Sequence, residues 1–277
     1  MNSTMKTEKT AETIRFDPEE ISAIYFDMDG TIIDPASLQV TESTRRALKA
    51  LQKKGIRIAL CTTRSYQAAA GVPGMEGIDW DGYVLESGCL VLDHDRKTVS
   101  DQTYNPDDLK LLFGRAAKMN IPIFYNDGSE ERVTVRNSLT DHIVKKYGMG
   151  NVPVCPWRNE RVCMLTAVSE NEDQIQELLA PVLTMTARRG GDVNYDLALK
   201  KVTKLDGIQA LQKYWHLENA AFGAFGDTEA DAGMLAAAEA GFAMPWTDEK
   251  ASAAAAVKCT NYGGETIEKA LQETGLL

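Results

Sequence analysis

No apolar run in this 277-residue chain approaches the roughly 18 residues that a membrane-spanning helix needs, so the sequence holds no candidate for one. Positive charge is scarce too. Lys and Arg number 30 against 40 Asp and Glu, a formal charge of −10, which argues against non-specific nucleic-acid binding. The five cysteines (Cys61, Cys89, Cys155, Cys163 and Cys259) are odd in number and show no CxxC spacing. That argues against a disulfide frame or a zinc site and for reduced, mostly buried thiols in a cytoplasmic protein. The three histidines, His94, His142 and His216, stand isolated and none is assigned a catalytic role. Residues 1–20 are polar, lack the apolar stretch of a secretion signal, and are expected to form a loose tail. No internal repeat is apparent.

What is present is an ordinary globular composition, 44% apolar and 25% charged, in a chain long enough for one large domain or two smaller ones. The run Ile21-Ser22-Ala23-Ile24-Tyr25-Phe26 reads as a buried strand. It leads into Asp27-Met28-Asp29-Gly30-Thr31, where two carboxylates two residues apart can point to the same side and Gly30 permits a sharp turn. Thr41 to Lys54 reads as an amphipathic helix capped by Thr41 and ended by Gly55. Ile56 to Cys61 is a second strand, running into Thr62-Thr63-Arg64. Strand, helix and strand make a βαβ unit, so Asp27 and Thr62 are expected at the carboxyl ends of adjacent parallel strands, the edge where open α/β sheets bind ligands. A third strand is expected at Gly82–Glu86.

From Cys89 to about Gly191 short apolar runs alternate with helical stretches, which predicts an inserted α+β module over 89–191. The α/β pattern resumes over 192–277. A helix is expected at Thr203–Tyr214 with Lys204 at its start, then a strand at Ala220–Phe225, then Gly226-Asp227-Thr228-Glu229-Ala230-Asp231 and a helix from about Ala232 to Ala240. Ala251 to Ala256 reads as a further helix of small residues. The expected fold is a Rossmann-like α/β core over 21–88 and 192–277, interrupted by the α+β insert.

With these pieces in order the chain resembles the haloacid dehalogenase superfamily, in its Cof-like phosphatase branch. Asp27-x-Asp29-Gly30-Thr31 resembles the family's first motif, Thr62 its second, Lys204 its third and Gly226-Asp227-x-x-x-Asp231 its fourth. An insert between the second and third motifs resembles the larger, class II cap, which in the family selects the leaving group. The resemblance implies Mg²⁺ held by Asp27, Asp227 and the backbone carbonyl of Asp29, with Asp231 supporting them. It implies that Asp27 attacks phosphorus and forms an aspartyl phosphate, while Asp29 serves as acid and then base. Thr62, through its hydroxyl and backbone N–H, and Lys204 would bind phosphate, and Arg64 is a possible substrate contact. Thr63, Ser87, Ala230 and Met244-Pro245-Trp246 depart from the usual pattern on the substrate side without removing an acid.

Like charges about 4 Å apart repel by roughly 4 kcal/mol at an effective dielectric near 20, so clustered Asp27, Asp29, Asp227 and Asp231 require protonation or a cation. Oxygen-only ligands favour a hard ion such as Mg²⁺. Asp227 also fits a helix N-cap after a strand, and Asp231 a neighbour one helical turn on. A lysine in the first turn of a helix opposes the helix dipole, which favours a function for Lys204. The expected activity is Mg²⁺-dependent hydrolysis of a small phosphorylated metabolite, a sugar or cofactor phosphate. A phosphomutase and a catalytically silent phospho-ligand sensor are the alternatives. In the insert, Phe124, Tyr125, Arg132, Arg136, His142, Arg158, Arg188 and Arg189 are the residues singled out as possible substrate contacts. Trp246 can either stack on a substrate ring or pack in the core.

Overall fold

The computed structural model describes residues 14–128 and 130–277. The chain divides into two compact units, one of residues up to 64, 68–100 and 204–277, the other of 65–67 and 101–203. Among the described residues no helix is long and apolar enough to cross a membrane.

The first unit is built on an eight-stranded sheet. Its spatial order is Val257–Lys258, Ala240–Ala243, Ala221–Gly226, Ile21–Phe26, Arg57–Cys61, Gly82–Leu85, Leu90–Asp93 and Thr98–Asp101. The first six strands run parallel, and Leu90–Asp93 folds back antiparallel onto Gly82–Leu85. The central strands are buried on both faces, as expected of a parallel sheet covered by helices. On one face Ile24, Phe26, Ile58, Leu60, Phe225 and Phe242 pack with Leu48 and Leu51 of the helix Glu42–Lys53 and Leu271 of the helix Thr266–Glu273. On the other, Tyr25, Ala59, Cys61 and Ala224 pack with Ile208 and Leu211 of Lys204–Tyr214 and Leu235 of Ala232–Ala237. Phe26, Phe225 and Phe242 lie level on three neighbouring strands, their rings stacked at 5.2 and 4.2 Å.

The second unit is an antiparallel five-stranded sheet in the order Met185–Arg189, Asn194–Leu199, Met164–Val168, Ile123–Asn126, Glu131–Val133. Helices Pro106–Met119 and Glu172–Leu179 cover one face through Leu109, Leu112, Ile175 and Leu178. Phe124 and Val168 on the opposite face pack with Ile143 of the helix Ser138–Lys146.

Three expectations need correction. The stretch 89–100, assigned to the insert, joins the core sheet through the Leu90–Asp93 pairing, while Asn194–Leu199, assigned to the core, completes the insert's sheet. Residues 14–20 are not a loose tail, for Ile14 and Phe16 pack on the core, Phe16 meets the Phe242 ring edge-on, and its N–H donates to Thr274. Residues 1–13 lie outside the described part of the chain. The helix expected to reach Ala240 stops at Ala237, because Ala238 turns extended and Ala240–Ala243 enters the sheet.

Candidate active site

Strand register assembles the site. Phe26 pairs with both Phe225 and Leu60, so Asp27, Cys61-Thr62 and Gly226-Asp227 leave three adjacent parallel strands at one level. The Asp27 N–H still donates to Phe225 O at 2.9 Å, which ties the first acid to the sheet's end. Gly30 then turns the chain with a φ of +81°, and its backbone lies so close to Asp227 that a Cβ there would stand 2.2 Å from Asp227 Oδ2. Only glycine meets both conditions.

Lys204 arrives from the opposite part of the chain. A Cβ at Gly207 would stand 2.4 Å from Val84 Cγ1, so the helix Lys204–Tyr214 presses directly on the strand Gly82–Leu85. One turn earlier on this helix, the Lys204 ammonium donates to Asp27 Oδ1 at 2.5 Å and to Asp231 Oδ1 at 2.6 Å, with all three side chains buried. The other Asp231 oxygen accepts from the backbone N–H groups of Asp227 and Thr228 and from the Thr228 hydroxyl. Asp231 therefore shapes the turn that carries Asp227, and both of its oxygens are engaged.

Asp27, Asp227 and Asp231 offer oxygen atoms that all lie within 4.8 Å of one another. Three carboxylates against one ammonium leave excess negative charge. Burial raises the Asp27 carboxyl above the usual carboxylate range, an effect that Lys204 opposes and Asp231 reinforces. Burial, then the charges of Asp27 and Asp231, raise Asp227 likewise. Burial disfavours the Lys204 ammonium, but the two carboxylates outweigh it and hold Lys204 above the ordinary lysine value. Asp227 Oδ1 is buried without a hydrogen-bond partner. An orphaned acceptor in an oxygen-only, over-charged cluster fits a hard divalent cation.

Asp29 is arranged differently. Arg64 grips its carboxylate with two bonds, Nε to Oδ2 at 2.8 Å and Nη2 to Oδ1 at 2.6 Å, and the two side chains are 35% and 50% exposed for Arg64 and Asp29 respectively. The side chain of Asp29 is thus outside the cluster of three carboxylates. Arg64 is placed beside the acids, with its guanidinium engaged by one of them.

Thr62 is fully buried, and here one expectation fails. Its backbone N–H donates to Val84 O at 2.8 Å as part of the sheet and is not available to phosphate. The hydroxyl accepts from the Arg64 N–H at 3.1 Å and keeps its own proton to donate. In the insert, Phe124 and Tyr125 are core residues, while Arg132, Arg136 and His142 pair with Asp127, Asp141 and Asp192. Arg158 is exposed, Arg188 faces Asp196, and Arg189 lies near Glu172 at the exposed end of an edge strand.

Two features were not identified as such in the sequence. Glu86, Ser87 and Gly88, beside Thr62 and Arg64, all take positive φ, and Ser87 N–H donates to Thr62 O. Trp246 packs partly against the core, and its indole N–H donates to Gly30 O at 2.7 Å. Gly88, at the end of Glu86-Ser87-Gly88, hinted at the first feature. No local signal marks the second, which joins residues 216 positions apart.

Comparison with known proteins agrees with the geometry. A family model described as haloacid dehalogenase-like hydrolase matches residues 24–271. A candidate bifunctional phosphatase/peptidyl-prolyl cis-trans isomerase from Streptococcus pyogenes serotype M6 is 26% identical over 95% of this chain, which spans only 54% of that relative's length. YxeH of Bacillus subtilis, named as a candidate phosphatase, is 25% identical over 80% of this chain and 86% of its own. Among solved structures, the phosphatase BT1666 from Bacteroides thetaiotaomicron superposes with a TM-score of 0.82 at 20% identity, covering 93% of this chain and 96% of its own. The sugar phosphatase BT4131 of haloacid dehalogenase subclass IIB superposes at 0.79 with 23% identity, covering 92% and 100%. At these identities the structures establish a shared fold.

Proposed function

The chain belongs to the haloacid dehalogenase-like hydrolases, and from that premise we propose that it is a Mg²⁺-dependent phosphatase of a small phosphorylated metabolite, a sugar or cofactor phosphate. The observation that carries the reading is Asp27, buried and held by Lys204, in a cluster whose Asp227 Oδ1 lacks a partner. The Asp27 and Asp227 carboxylates, with the Asp29 carbonyl that the family resemblance implies, would hold Mg²⁺, which offsets the repulsion between a carboxylate and a phosphate dianion.

Lys204 binds Asp27 Oδ1 and fixes the carboxylate's orientation, leaving the other oxygen to attack phosphorus. A bond forms from Asp27 to phosphorus as the bond from phosphorus to the leaving oxygen breaks. Asp29 gives that oxygen a proton, then takes one from the water that attacks the aspartyl phosphate, so that inorganic phosphate leaves and Asp27 is restored. Both Asp29 oxygens lie in the Arg64 fork. The acid role therefore requires this pair to open, and a substrate phosphate that draws the guanidinium away would open it. The Thr62 hydroxyl and the Lys204 ammonium, two of whose three N–H donors go to Asp27 and Asp231, are the remaining phosphate donors. All five cysteines are free thiols, in keeping with a reducing cytoplasm.

Phosphate release from a panel of sugar, nucleotide and cofactor phosphates, with Mg²⁺ and with EDTA, tests the reading. Release is expected with Mg²⁺ only, and none from a folded Asp27→Asn protein. Turnover retained in Asp27→Asn would overturn the mechanism.

A further inference from the structure

We propose that Trp246 and Thr247 act as a strap that sets the gap between the loop of Asp27 and Asp29 and the loop of Asp227, and thereby tunes the cation site; this rests on the metal-dependent reading above. The two residues are adjacent, yet they grip the two loops separately. The Trp246 indole donates to Gly30 O at 2.7 Å, and the Thr247 hydroxyl donates to Asp227 O at 2.7 Å. The next backbone N–H, that of Asp248, also donates to Asp227 O, at 3.0 Å. The gap they span is narrow, with the Gly30 backbone close against Asp227 Oδ2.

Asp27 is buried and held by Lys204, and Asp227 leaves its strand through a turn shaped by Asp231. Lys204, bonded to both Asp27 and Asp231, ties the two loops once, at the acids themselves. The chain from Met244 to Asp248 ties them a second time, at Gly30 O and Asp227 O, and Met244 N–H anchors it to Gly226 O at 3.0 Å. The indole ring packs partly against the core beneath and lies 6.3 Å from the Tyr262 ring, which fixes the direction of its N–H. Trp246 is thus a positioning residue that acts through Gly30, and its only ring N–H is committed there rather than to a substrate.

Titration calorimetry of the full chain with Mg²⁺, on wild type, Trp246→Phe and Thr247→Val, tests the strap. Phe keeps the aromatic packing and loses the donor; Val keeps the shape and loses the hydroxyl. Each variant should bind Mg²⁺ about three- to tenfold more weakly, the size of one neutral hydrogen bond. Thermal unfolding with EDTA confirms that each is folded. Wild-type Mg²⁺ affinity in both folded variants overturns the strap alone. No Mg²⁺ binding in the wild type overturns the metal-dependent reading, and the strap with it.

Discussion

Arg64 and Asp29 form the most exposed ion pair of the site, and exposure decides what it does. With side chains 35% and 50% exposed, the pair adds about 0–1 kcal/mol to stability. A bidentate contact to a phosphate, by contrast, is a charged hydrogen bond of about 1.5–3 kcal/mol. Arg64→Ala should therefore unfold at nearly the wild-type temperature while losing about tenfold or more in kcat/KM. Arg64→Lys should recover only part of that, since an ammonium keeps the charge without the fork. Wild-type kinetics in Arg64→Ala would make the pair a surface contact only. At this scale Asp27, Asp227 and Asp231 were legible in the sequence because each follows a strand or opens a helix, and Asp29 because it stands two residues after Asp27. The fate of the Thr62 N–H was not, since Val84, its acceptor, is chosen by strand register and not by neighbours in the chain.

The helix Lys204–Tyr214 shows how an element carries a residue to its place. Its start was legible from Lys204 and the apolar spacing that follows. Its contact with the sheet was not, because Gly207 reads in sequence as a weak helix residue rather than as a point of close approach. With Val84 Cγ1 only 2.4 Å from a Cβ at this position, Gly207→Ala must push the helix from the strand Gly82–Leu85. Overpacking of this kind costs about 1–3 kcal/mol, more than the gain in helix propensity from replacing glycine, about 1 kcal/mol. Chemical denaturation should show a net loss of stability. Since Lys204 moves with the helix, kcat should fall as well. A more stable, fully active Gly207→Ala would show that the helix shifts without disturbing Asp27.

Over the whole molecule the sequence disclosed two units but misplaced their seams. Leu90–Asp93 is apolar enough to belong to either sheet, and only its antiparallel partner, Gly82–Leu85, decides. Asn194–Leu199 follows a glycine pair that reads as a boundary, yet it pairs with both Met164–Val168 and Met185–Arg189. The charge cluster, in turn, ties global stability to pH. Asp27 and Asp227 have folded pKa values raised above those of an unfolded carboxylate, chiefly by burial. A group of this kind holds its proton longer in the folded state. Its contribution is complete below the unfolded value, near pH 4, and is lost as pH rises to the folded value. Without metal, the melting temperature should therefore fall between about pH 4 and 8. On the proposed reading Mg²⁺ binds the ionised form, and at a hundredfold excess over Kd it should add about 2.7 kcal/mol, or roughly 5 °C or more. That gain should be larger near pH 8 than near pH 5.5, where protons compete for the same oxygens. Thermal unfolding at both pH values, with Mg²⁺ and with EDTA, measures it. An equal or larger Mg²⁺ shift at the lower pH would mean that the cation binds elsewhere, because only a site built on these raised carboxylates must exchange protons for metal.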